Sequence, residues 1–99
     1  MKLEKEFLAE ALTNAQTAML SHGAPTKRLI GTLQERGGTE TLRELCKRHR
    51  ASDGFDFLCA KGLGGLTLEA LVIKGKFGSL FTDEEVNFCL DLLMEAGYF

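Results

Sequence analysis

The sequence predicts an all-α, compact single domain of five or six short helices, spanning residues 1–99 and containing a helix-turn-helix-like pair. Three observations predict it. Apolar residues recur at three- and four-residue steps along most of the chain, which is the period of a helix face. Glycines, the one proline and Ser/Thr residues punctuate these stretches, where helix ends use them. No segment offers a convincing pairing partner for a strand, and an isolated strand leaves its backbone groups unsatisfied.

Each element follows in order. Residues 3–21 read as a long helix with Phe7, Leu8, Ala11, Leu12, Ala15, Met19 and Leu20 on one face. His22 and Gly23 fit its C-terminal end, and Pro25 fits the first turn of a second helix, 25–36, whose stripe is Leu29, Ile30 and Leu33. Gly37-Gly38 stops that helix, and Thr39 is placed to cap a third, 40–50, with Leu42, Leu45, Cys46 and His49 facing inward. Ser52 is placed to cap a fourth, shorter helix, with Asp53 in its first turn and Phe55, Leu58 and Cys59 inside. "LTLEALVI" at 66–73 is read as a helix capped by Thr67, although Val72-Ile73 also suit a strand. Residues 74–81 read as a loop anchored by Phe77 and Phe81. "TDEE" at 82–85 is a capping box opening the last helix, whose core stripe is Val86, Cys89, Leu90 and Leu93. Gly97 ends it, with Tyr98 and Phe99 folding back onto the body.

Composition narrows the function classes. Charged residues make up 26% and hydrophobic residues 44%, which is ordinary for a soluble globular chain. No apolar run approaches the length of about 20 residues that spans a bilayer, so no membrane partner is expected. Cys46, Cys59 and Cys89 are odd in number and lack a secretion signal, so they read as packed thiols in a reducing cytoplasm. The net charge of -2 is unevenly spread. Residues 1–50 hold nine Lys/Arg against six Asp/Glu, and residues 51–99 hold three against eight. That asymmetry suits a nucleic-acid face, or a homodimer that pairs opposite halves.

Catalytic and cofactor constellations are weak. Cys46 and His49 have ligand spacing, but Cys59 and Cys89 fall on apolar stripes, so no metal is expected. "GKFGS" is not a phosphate loop, because Ala70 stands where the first glycine belongs and Phe77 follows Lys76. Ser21 and His22 are only neighbours in sequence, and Asp83, Glu84 and Glu85 are explained by helix capping. No cofactor and no enzyme activity are expected.

Two binding readings remain. The first is a protein–protein interaction module, in which Phe77 and Phe81 anchor a partner if exposed, flanked by Lys74 and Lys76. The second is a helix-turn-helix-like nucleic-acid binder built on residues 39–62. Its basic face would use Lys27, Arg28, Arg36, Arg43, Lys47, Arg48 and Arg50. The second helix of that pair argues against it. Asp53, Gly54 and Asp56 would enter the groove, where base readout needs Arg, Lys, Asn or Gln.

Overall fold

The computed structural model describes residues 2–98, which form six α-helices and two short 3-10 segments with no strand among them. The expected all-α class is what is seen. Phe99 lies outside the described residues.

The first helix, α1 (Lys2–His22), buries Phe7, Ala11, Ala15 and Ala18. Ala18, not Leu20, continues the stripe, and Leu20 is left 79% exposed. The reason is rotational: two residues beyond Ala18 is about 200° around the helix, which is the far side. The alanines leave room for close neighbours. Helix α2 (Lys27–Arg36) uses that room, packing Leu29, Ile30 and Leu33 inward. It begins at Lys27, so Pro25 precedes it and does not occupy its first turn. Thr26 is fully enclosed and donates its hydroxyl to the Ala15 carbonyl at 2.7 Å, tying the start of α2 to the middle of α1.

Gly37 alone separates α2 from α3 (Gly38–Arg48), at a φ of 83° that L side chains avoid. The third helix therefore starts one residue before Thr39, which does not cap it. Gly38 lies against Phe7, and a Cβ there would overlap the Phe7 ring. Thr41 and Leu42 are buried beside it. His49 is not part of the inward stripe. It is exposed and adopts a left-handed backbone at φ 53°, ending α3.

Ser52 does not cap the next helix. Its hydroxyl is turned to Glu69, and α4 (Phe55–Ala60) begins after Gly54 with no side-chain cap. Asp53 also lies before α4, where it pairs with Arg28. Phe55 and Leu58 face inward as expected, while Cys59 is half-buried. A 3-10 segment at 64–66 leads to α5 (Leu68–Val72), capped by the Thr67 hydroxyl, which accepts the Ala70 N–H at 3.1 Å. All five residues of α5 are buried. The helix expected here is what is seen; enclosed on every side, it has no polar stripe, so a short apolar run ending in β-branched Val72-Ile73 suits a strand as well.

Residues 75–80 form a second 3-10 segment, not an irregular loop. It carries Phe77, which meets the Phe7 ring edge-to-face at 5.3 Å, and Phe81 follows at 5.1 Å. Helix α6 (Asp83–Glu95) opens with the complete capping box and buries Cys89 and Leu93. Gly97 ends it at φ 77°, and Tyr98 turns back over Gly64.

Candidate binding surface

Helices α2 and α3 form a hairpin with a groove between them. Arg28, Thr32 and Arg36 stand four residues apart on α2 and so share a face. Thr41, Glu44, Leu45 and Arg48 line the groove from α3. Arg50, Ala51 and Asp53 close one end from the segment before α4. The groove holds about 270 Å³, and half-buried Leu45 and Ala51 supply apolar lining together with the edge of Leu29. Its cations are all arginines, which present a planar fork suited to carboxylate or phosphate.

Two of these arginines already hold carboxylates. Arg28 donates from Nε and Nη2 to the two oxygens of Asp53, both at 3.0 Å. Arg48 Nε reaches Glu44 at 3.3 Å. Among the described residues, no ion pair engages Arg36 or Arg50. The loop that carries Arg50 is fixed from below. Glu69, wholly buried on α5, accepts the Ser52 N–H at 2.7 Å and the Ser52 hydroxyl at 2.6 Å. Burial pushes the Glu69 carboxyl above its ordinary value, and the Ser52 donors oppose that shift.

The other basic residues go elsewhere. Arg43 lies across α3, between Glu40 at 3.8 Å and Glu85 at 3.5 Å. With Cys46, Lys47 and His49 it forms one wall of a second cleft, faced by Thr82, Glu84, Glu85 and Phe88. Lys27 is exposed at the start of α2. The basic face of 27–50 is therefore split: Arg28, Arg36, Arg48 and Arg50 line one groove, while Arg43 and Lys47 face the acidic start of α6. The helix-turn-helix-like spacing does not yield a recognition element either, since α4 has six residues and Asp53 is engaged by Arg28.

Phe77 is fully buried and Phe81 nearly so, which leaves neither ring available as a surface anchor in this fold. They pin the 3-10 segment to α1 instead. Lys76 lies 3.6 Å from both Glu6 and Glu10 and over the Phe77 ring, so it holds that segment down from outside. Lys74 is exposed nearby.

All three cysteines are free thiols. Burial pushes Cys46 up to about 11 and raises Cys59 and Cys89 as well, which keeps them as neutral thiols. Among the described residues, no cluster of His, Cys, Asp and Glu has the geometry to hold a metal ion. No helix among them is long and apolar enough to cross a membrane.

The Ser52–Glu69 pair was missed in the sequence. Its one available signal was a lone glutamate in the apolar run "LTLEALVI". The fold and surface together define a class, a small all-α domain with an arginine-lined interhelical groove. No protein-family model, curated protein or solved structure matches the chain.

Proposed function

We propose that this protein works by docking another protein and carries out no chemistry of its own. The observation that supports this is the α2–α3 groove, where Arg36 and Arg50 line the same surface as half-buried Leu45 and Ala51 without a carboxylate partner among the described residues. Buried ordering of the groove wall by Glu69 means the surface is formed before a partner arrives, which lowers the cost of binding. The free thiols suit a reducing, cytoplasmic setting.

A photo-crosslinking amino acid at Thr32 tests the reading in cells. A protein adduct is expected at that position, and Arg36→Glu with Arg50→Glu should abolish it. A crosslink to nucleic acid, or none at all, would overturn the proposal. The presence of four arginines along one groove favours a second reading, a nucleic-acid contact. It predicts salt-dependent retention on heparin that drops when Arg36, Arg48 and Arg50 are neutralised.

A further inference from the structure

We infer that the α2–α3 groove seats an acidic, amphipathic segment of a partner protein. Arg36 and Arg50 receive its carboxylates, and Leu45 and Ala51 receive its apolar side chains. The inference rests on the docking function proposed above and names the chemistry of the partner.

Shape comes first. Arg28 to Arg36 is eight residues of helix, a rise of about 12 Å. One phosphate or one carboxylate cannot reach both ends of such a groove. A chain segment can: two turns of helix, or about four extended residues, cover the same length. The charges come next. The groove already shows how it binds an anion, since Asp53 occupies Arg28 through two parallel hydrogen bonds at 3.0 Å. Arg36 and Arg50, which also line the groove, offer the same fork to an incoming group.

Three features favour an acidic peptide over a nucleic acid. Glu44 and Asp53 stand among the arginines, and a continuous phosphate backbone would run against them. Discrete carboxylates can be spaced to avoid them. Arg43 and Lys47, which a polyanion would recruit, face the other cleft. Half-buried Leu45 and Ala51 add apolar lining beside the arginines, which matches a segment with an acidic and an apolar face rather than sugar and phosphate.

The test is fluorescence anisotropy of the full chain with a labelled helix-forming peptide of Glu and Leu. Controls are the same peptide with Gln in place of Glu, and a single-stranded oligonucleotide of equal charge. The acidic peptide is expected to bind, more weakly as salt is raised. Arg36→Glu with Arg50→Glu should lower its affinity at least about tenfold. Lys5→Glu, on the exposed outside of α1, should leave it unchanged. Both variants change exposed side chains, and unaltered circular dichroism would verify that they fold. Amide shifts on peptide addition should cluster on α2, α3 and residues 50–53.

Equal binding of the Gln peptide, tighter binding of the oligonucleotide, or indifference to the arginine reversals would overturn the inference. So would self-association of the protein abolished by the same reversals, which would make a second copy the occupant. Peptide selectivity without a crosslinked protein in cells keeps this site and removes the proposed function. A crosslink at Thr32 without peptide selectivity does the reverse.

Discussion

Ser52 and Glu69 show how much a single pair of residues can decide. A carboxylate with no exposed surface is costly unless its oxygens are satisfied, and here both are. Ser52→Ala removes one of the two donors. It should destabilise the protein by about 1–3 kcal/mol in chemical denaturation. Glu69 also carries a pH dependence. Its pKa is raised in the folded state, so protonation favours the fold. That contribution is fully present below the unfolded value of 4.5 and is lost as pH rises through the folded value. Glu69→Gln can still accept the Ser52 N–H and donate to its hydroxyl. Stability curves measured from acid to neutral pH should therefore lose this decline in the variant, and at neutral pH the variant should match or exceed the parent. A large loss at neutral pH would show that the ionised carboxylate is required. Gly38 makes the complementary point about space. Gly38→Ala would drive a methyl into the Phe7 ring and should cost about 1–3 kcal/mol by overpacking.

Helix ends are where local chemistry and tertiary demand meet. Three helices close in the same way, with a left-handed residue whose neighbours donate back into the last turn. At α4 the residue is Gly62, with Gly62 N–H to Cys59 and Leu63 N–H to Leu58. At α6 it is Gly97, with the matching bonds to Met94 and Leu93. At α3 it is His49, with His49 N–H to Cys46 and Arg50 N–H to Leu45. Glycine carries no penalty in that conformation, and an L side chain does. His49→Gly should therefore stabilise the protein by about 1 kcal/mol, read as a rise in denaturant midpoint with unchanged slope. The capping box of α6 was legible from "TDEE", because the donors and acceptors lie within four residues of one another. Thr82→Ala should cost about 1 kcal/mol. Ser52 illustrates the opposite case. It had the right chemistry for a cap, but a partner seventeen residues away captured its hydroxyl. Thr26 behaves likewise, its hydroxyl going to Ala15 across the α1–α2 contact.

At the scale of the whole molecule, the core is organised around one ring. Phe7 meets Phe77 and Phe81 edge-to-face, lies against Gly38, and so joins α1, α3 and the second 3-10 segment. The Cα radius of gyration is 12.1 Å, close to the value of about 13 Å for a compact chain of this length. Phe7→Ala removes the ring on which these elements converge and should cost about 3–5 kcal/mol. The sequence by itself determined the helical class, most helix positions and the terminal caps of α5 and α6, because those depend on periodicity and on bonds within a few residues. It also named the basic residues of 27–50, but not their grouping. Only the tertiary structure decided that Arg28, Arg36, Arg48 and Arg50 share a groove while Arg43 and Lys47 face α6. It alone drew Phe77 and Phe81 inside, exposed Leu20 and enclosed Glu69. The physical reason is common to all of these. Helical periodicity specifies which residues share a face, whereas burial and charge grouping depend on which faces the packed helices bring together.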